Sequence, residues 1–188
     1  MSAVPRHHSR AGSGIVATLT AGILAAGVAA SPALAMGTGN PYEDMQVGVT
    51  YTVYQPANTL GVKTPTAPTQ FSECPAGVDE VLFVKYRKSG SLQFTVTEGN
   101  PICADIGSGP VVLTTTIDGR KARVIAYCDP ASSAPCKVSD VKRYGGHLEV
   151  VLPAAPGLRK TTVWIETPAN RLTAQQLVTI GKSLDPVE

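Results

Sequence analysis

Residues 111–126 read Val-Val-Leu-Thr-Thr-Thr-Ile-Asp-Gly-Arg-Lys-Ala-Arg-Val-Ile-Ala. The Asp118-Gly119 pair in the middle is the signature of a type I′ turn, which joins two antiparallel strands. Folding the chain about this turn opposes three pairs on one face: Thr115 with Ala122, Leu113 with Val124, and Val111 with Ala126. The other face receives Thr114, Thr116, Lys121 and Arg123. One face is therefore apolar and the other polar, which predicts an antiparallel sheet over a single core.

Further strands are predicted on both sides of this hairpin. A Lys88-Ser89-Gly90 turn connects the apolar runs Val81–Tyr86 and Leu92–Val96. Pairing Arg87 with Ser91 sets the register of this other hairpin. Alternating or apolar runs predict three more strands, at 47–54, 148–152 and 161–166.

A helix is predicted at the end of the chain. Thr173 is a suitable N-cap, and Gln176 three residues later completes a capping box. An apolar stripe follows at helical spacing, consisting of Leu177, Ile180 and Leu184. We therefore predict an α+β domain: a curved antiparallel β-sheet of six to seven strands with the C-terminal helix packed on one face.

The first 35 residues have the pattern of a secretory signal peptide. Arg6 and Arg10 precede an apolar run from Gly14 to Ala30, and Ala33-Leu-Ala35 offers a cleavage site. We expect residues 1–35 to be removed, 36–46 to be a flexible N-terminal segment, and 47–188 to form one disulfide-stapled domain. The predicted location is outside the cytoplasmic membrane, secreted or in the periplasm or cell envelope. If 14–30 were retained, the protein would be a membrane-anchored subunit.

The charge balance argues against nucleic acid as a partner. The leader holds two of the 16 Lys and Arg residues and none of the acids, so 14 basic and 14 acidic residues remain after Ala35. Nucleic-acid binding depends on many cations that neutralise phosphates, and a neutral chain does not supply such an excess.

The cysteine count predicts disulfides. All four cysteines lie beyond the leader: Cys74, Cys103, Cys128 and Cys136. An even number in an exported chain favours bridges over a zinc site, since the sequence has no Cys-x-x-Cys pair and only one histidine after the leader. Cys74 and Cys103 both fall just past the open end of the 81–96 hairpin and are expected to pair. Cys128 and Cys136 then form a local bridge, with Cys103–Cys128 as the alternative.

The C-terminal part carries a family resemblance. The strand Trp164-Ile-Glu-Thr167 followed by the segment Leu172–Leu184 resembles the strand-then-helix ending of small uncharacterised bacterial envelope domains, both secreted and lipoprotein-anchored. The resemblance implies a cell-envelope role and assigns no functional residues.

The candidate binding residues are an aromatic side chain and three cations. Trp164 falls on the polar side of its strand, where an aromatic residue either lies under a loop or marks a contact surface. The Pro- and Thr-rich segment 55–78 could be that loop. Basic residues flank the hairpin turns and would attract anions if the turns met at one end of the sheet. The selected cations are Arg123, Lys121 and Lys85.

These residues predict a non-catalytic binding or accessory protein that contacts an envelope protein, a wall component or a lipid. The alternative is a secreted hydrolase using His147, the only histidine after the leader, with a nearby carboxylate such as Glu149. Alternation places His147 on the solvated side of its strand. No cofactor and no metal are predicted, since the chain has no clustered oxygen or sulfur ligands.

Overall fold

The computed structural model describes residues 38–66, 70–72, 81–100, 102, 107–129 and 131–187, which all belong to one compact unit. The predicted leader and both Cys74 and Cys103 lie outside the described residues. Within the described ranges, no helix is long and apolar enough to cross a membrane.

Nine strands and three helices are found in the described part of the chain. The strands are β1 (Tyr54–Pro56), β2 (Gln70–Ser72), β3 (Val81–Lys88), β4 (Ser91–Gly99), β5 (Val111–Ile117), β6 (Arg120–Ala126), β7 (Gly145–Leu152), β8 (Thr161–Pro168) and β9 (Leu184–Pro186). The helices are α1 (Pro41–Gln46), α2 (Asp140–Tyr144) and α3 (Ala174–Gly181).

Seven strands form one antiparallel sheet in the order β2-β3-β4-β8-β7-β6-β5. The remaining two, β1 and β9, pair antiparallel as a separate small sheet. Helix α3 packs against β5, β7 and β8 of the large sheet. The predicted α+β class, with an antiparallel sheet and a C-terminal helix on one face, is confirmed.

The β5–β6 hairpin forms about the predicted turn. Asp118 and Gly119 have φ angles of 47° and 69°, as a type I′ turn requires. The pairs Thr115–Ala122 and Leu113–Val124 are confirmed, but Val111 lies opposite Ile125 instead of Ala126. A bulge between Val111 and Leu113 takes up one residue of β5, which alternation by itself does not reveal.

The register predicted for the β3–β4 hairpin is wrong. The loop has two residues, Ser89 and Gly90, both with positive φ, so Lys88 pairs with Ser91 and Arg87 pairs with Leu92. One bulge follows between Arg87 and Tyr86, so that Tyr86 pairs with Phe94. Bulges of this kind are set by packing on neighbouring strands and shift every pair beyond them.

The N-terminal segment differs from its prediction. Residues 41–46, expected to be flexible, form α1, because the Asn40 side chain accepts a hydrogen bond from the Tyr42 N–H at 3.1 Å and caps the helix. The predicted strand 47–54 is reduced to a bridge at Tyr51 and the start of β1. Strand alternation would place Val47 on one face with Val49, Tyr51 and Val53, but Val47 is 88% exposed whereas the other three are buried.

Helix α3 has the predicted capping box but is shorter than expected. Thr173 Oγ1 accepts from the Gln176 N–H at 3.2 Å, and Gln176 Oε1 accepts from the Thr173 N–H at 2.9 Å. Leu184, predicted to continue the helical stripe, lies in β9 opposite Pro56. There the backbone finds its hydrogen-bond partners on β1 instead of in the preceding helical turn.

The core lies between α3 and one face of the large sheet. The six central side chains that β6, β7 and β8 contribute to it are fully or almost fully buried: Ala122, Val124, Leu148, Val150, Val163 and Ile165. Because side chains alternate along a strand, the residues between them point to the opposite face, which we call the open face.

Candidate functional site

The open face gathers charged and aromatic side chains from three adjacent strands. His147 lies opposite Ile125 of β6 and Glu166 of β8, and Glu149 lies opposite Arg123 of β6 and Trp164 of β8. These cross-strand neighbours and Tyr127, which directly follows β6, form what we call the open-face cluster: Arg123, Ile125, Tyr127, His147, Glu149, Trp164 and Glu166.

A hydrogen-bonded chain links Glu166, Tyr127 and His147. The Tyr127 hydroxyl donates to Glu166 Oε1 at 2.7 Å and lies 3.2 Å from His147 Nδ1. The hydroxyl has one proton and donates it to the Glu166 carboxylate. The hydrogen bond between the hydroxyl and His147 must therefore be donated by an N–H at Nδ1. The arrangement selects the His147 tautomer with Nδ1–H and leaves Nε2 as the nitrogen that titrates.

Burial changes the pKa values in this chain of hydrogen bonds. His147 is 6% exposed, and burial is the main cause that lowers the pKa of its imidazole below 6.5. Glu149 raises the same pKa and Arg123 lowers it, both by smaller amounts. Burial and the bond to Glu166 raise the pKa of Tyr127. At neutral pH the site therefore holds a neutral imidazole and a neutral phenol.

Arg123 and Glu149 form an ion pair beside the histidine. Arg123 Nη2 lies 2.9 Å from both carboxylate oxygens of Glu149. The Arg123 side chain is 48% exposed and that of Glu149 is 24% exposed. The pair is thus available to a ligand as one donor and one acceptor with no net charge.

Trp164 is half-buried between the histidine and the ion pair. Its ring centroid is 6.0 Å from that of His147, with the planes tilted by 52°. Its Nε1 atom is buried and has no hydrogen-bond partner among the described residues. An aromatic ring held among fixed polar groups provides apolar contact area of known orientation.

All members of the cluster except Tyr127 and Glu166 line a concave site of about 300 Å³, whose remaining wall is the segment 107–111. The Ala126 N–H donates to the Pro110 carbonyl at 3.2 Å, which ties this segment to the end of β6. A Cβ on Gly107 would lie 2.7 Å from the Tyr127 ring, and one on Gly109 would collide with the Ala126 carbonyl. Glycine at both positions lets the backbone approach the site closely.

The structure brings together only part of the predicted set. Trp164 and Arg123 lie in the same concavity, together with the alternative residue His147. Lys121 lines a different cavity at the end of the sheet. Lys85, on β3, is four strands away from Arg123, about 19 Å at the usual strand spacing.

The expected solvation of His147 is wrong, and the condition for a joint basic patch at the hairpin turns is not met. His147 is buried instead of solvated, since Tyr127 and Trp164 pack against it. The carboxylate linked to it is Glu166, whereas Glu149 is engaged by Arg123. The two basic hairpin turns do not meet: the antiparallel order puts the 89–90 turn and the 118–119 turn at opposite ends of the sheet.

Sequence reasoning missed Tyr127, Glu166, Ile125 and the segment 107–109. Strand alternation could have indicated two of these residues. Tyr127 continues the alternation of Arg123 beyond the strand, and Glu166 is two residues after Trp164. The position of 107–109 depends on a long-range contact. The described residues 63–66 of the Pro- and Thr-rich segment line a cavity with Lys85 and Arg87, not with Trp164.

The disulfide predicted between Cys128 and Cys136 is confirmed, with a Cα–Cα distance of 5.8 Å. Cys128 directly follows Tyr127, so the bridge restrains the chain right next to this member of the open-face cluster. Among the residues that the structure describes, no group of three or more potential ligands is arranged to hold a metal ion. Comparison with protein-family models, curated proteins and solved structures finds no match to this chain.

Proposed function

We propose that this chain is an exported binding or accessory protein of the bacterial cell envelope that contacts an envelope protein, a wall component or a lipid through the open-face cluster. The observation that carries the proposal is the half-buried Trp164 in a concave site among polar groups that are already held in place.

Preorganisation is the physical argument for binding. Tyr127 and His147 are fixed by Glu166, and Arg123 is fixed by Glu149, so a ligand would not have to order these side chains. The site mixes apolar area from Trp164 with hydrogen-bonding groups at its edge, as ligand sites commonly do. Its volume of about 300 Å³ suits a small group or one projecting part of a larger partner.

Export is supported by the disulfide and by the leader-like start of the chain. The Cys128–Cys136 bridge is of a kind that persists in oxidising compartments. Intact-mass analysis of the exported protein tests the location and the leader together. A mass without residues 1–35 supports a released protein, and a mass that includes 14–30 supports the membrane-anchored subunit.

Co-sedimentation with isolated bacterial envelopes tests the contact surface. We expect Trp164→Ala to weaken binding by about tenfold or more, because truncating a central aromatic contact commonly costs about 2 kcal/mol. Val47→Ala, which shortens an exposed apolar side chain elsewhere, is the matched control. Circular dichroism verifies that each variant is folded. Equal sedimentation of folded wild type and Trp164→Ala would remove this surface from the proposal.

Trp164 also reports on the site directly, since it is the single tryptophan of the chain. A bound envelope component should change its emission maximum and protect it from a soluble quencher. Arg123→Gln should weaken the same response while leaving the ring in place.

The second candidate function is a hydrolase, which the Glu166–Tyr127–His147 chain favours. His147 Nε2 would accept a proton from water as its oxygen attacks an ester carbonyl, and the proton would then pass to the leaving alkoxide. The test is hydrolysis of p-nitrophenyl acetate. Activity should be lost in His147→Gln, and its pH profile should rise to a plateau with a midpoint below 6.5, following the lowered pKa of His147. The hydrolase hypothesis is refuted if the wild type hydrolyses the ester no faster than His147→Gln at every pH.

A further inference from the structure

A second concave site lies at one end of the sheet, where β6 begins, β7 ends and β8 begins. Its volume is about 460 Å³. Three cations line it, Arg120, Lys121 and Lys160, and the rest of the wall is residues 151–154. We call it the end cavity. No carboxylate of the described residues lines it.

The three cations come from two elements that are distant in the sequence. Arg120 and Lys121 open β6 directly after the type I′ turn, and Lys160 precedes β8. Strands β6 and β8 are separated only by β7, whose end and following loop form the floor between them. The strand order of the sheet thus brings the two residues after the turn and a lysine distant in sequence to the same cavity.

These cations are not neutralised by acids of the described part of the chain. No hydrogen bond or ion pair is formed there by the side chains of Arg120, Lys121 or Lys160, in contrast to Arg123, which is held by Glu149. Asp118 lies close in sequence to Arg120 but lines the neighbouring cavity, with Lys182. Like charges converging in a concave surface raise the local potential even when the chain as a whole is nearly neutral.

We propose that the end cavity binds a phosphate group, either free or as the ester of a lipid headgroup. A phosphate presents several oxygens to different cations at once, and an arginine beside two lysines supplies both directed and rotatable donors. The cavity is larger than a phosphate ion requires, which leaves room for a polar group attached to it. This site is separate from the open-face cluster, and the inference does not depend on the function proposed for that cluster.

Nuclear magnetic resonance titration tests the inference with two probes. One is inorganic phosphate, and the other is glycerophosphoglycerol, a headgroup diester without acyl chains. We expect the backbone amides of residues 120, 121 and 160 to shift at concentrations up to about 10 mM, where a site of millimolar affinity would be mostly filled. A stronger response to phosphate indicates a free anion as the ligand, and a stronger response to the diester indicates a headgroup.

Charge-removing variants make the test specific. Lys121→Gln and Lys160→Gln should each weaken binding about fivefold, the effect of one unit charge about 4 Å away in water-like surroundings. Lys142→Gln is the matched control, because Lys142 is exposed at the opposite end of the sheet. Sodium chloride should weaken binding in the wild type and less so in the two variants. The proposal is overturned if neither probe shifts these amides, or if Lys142→Gln weakens binding as much as Lys160→Gln does.

Discussion

Glu98→Gln should remove a pH dependence of stability that originates in the core. Glu98 is fully buried on the core face of β4, where Oε2 accepts the Tyr54 N–H at 2.8 Å. Oε1 has no hydrogen-bond partner among the described residues. Burial raises the pKa of this carboxyl well above its ordinary value of 4.5, and the bond from Tyr54 offsets part of the increase. The folded protein therefore holds a proton that the unfolded chain has released.

The sign and size of the effect follow from this difference. Between pH 4.5 and the raised pKa of the folded state, the folded protein binds more protons than the unfolded chain, so the free energy of unfolding falls as the pH rises. One proton corresponds to a slope of about 1.4 kcal/mol per pH unit within that range. Each pH unit therefore removes a sizeable share of the roughly 5–15 kcal/mol that usually stabilises a domain. The stability contribution is complete below pH 4.5 and is lost as the pH rises through the raised pKa.

Urea unfolding monitored by Trp164 emission measures this effect at several pH values. The glutamine keeps a carbonyl oxygen for the Tyr54 N–H but cannot ionise. The difference in the free energy of unfolding between wild type and Glu98→Gln should therefore change with pH by the slope given above. His147 contributes an opposite trend, since its pKa is lowered in the fold and its share of stability is lost as the pH falls below 6.5. Because both proteins contain His147, its contribution cancels when their free energies of unfolding are subtracted. Glu43→Gln, at an exposed site, is the control. Parallel pH profiles for wild type and Glu98→Gln would refute the reasoning.

Three further predictions concern the disulfide, the close approach at the site and its ion pair. Replacing Cys128 and Cys136 together by serine should lower the free energy of unfolding by about 2.5 kcal/mol, the chain-entropy value for a short loop, as measured by urea unfolding. Gly109→Ala should cost about 1–3 kcal/mol and shift the amide resonances of 107–109, because its methyl group would collide with the Ala126 carbonyl; unchanged resonances would contradict the close approach. A double-mutant cycle on Arg123 and Glu149 should give a coupling below about 1 kcal/mol, since the pair is partly exposed, and a larger value would indicate stronger desolvation than the structure has.

Features that depend on a few consecutive residues follow from the sequence, whereas features that depend on long-range contacts do not. The Asp118-Gly119 turn and the Thr173 capping box were predicted correctly because their geometry depends on a few consecutive residues. The bulges in β3–β4 and β5–β6 were not, because they depend on packing against neighbouring strands. The end of α3 before Leu184 was missed for the same reason, because Leu184 pairs with Pro56 of β1, far away along the chain. The helix at 41–46 is a different case, since its Asn40 cap is a local feature that sequence reasoning overlooked.

The candidate site was half-predicted. Alternation correctly placed Trp164, Glu149 and Arg123 on one face of their strands, since side chains of a strand alternate strictly. It could not identify which strands are neighbours. The order β8-β7-β6 joins His147 to Glu166 through Tyr127 and gives Glu149 to Arg123.

Composition and local pattern alone determined the α+β class, the hairpins, the capped helix and the short disulfide, because each of these depends on residues that are close together in the sequence. Only the tertiary structure decided that His147 is buried, that Lys160 joins Arg120 and Lys121, and that Lys85 stands apart from them. The physical reason is that strand order and register, which set every distance across a sheet, are chosen by the packing of the whole core.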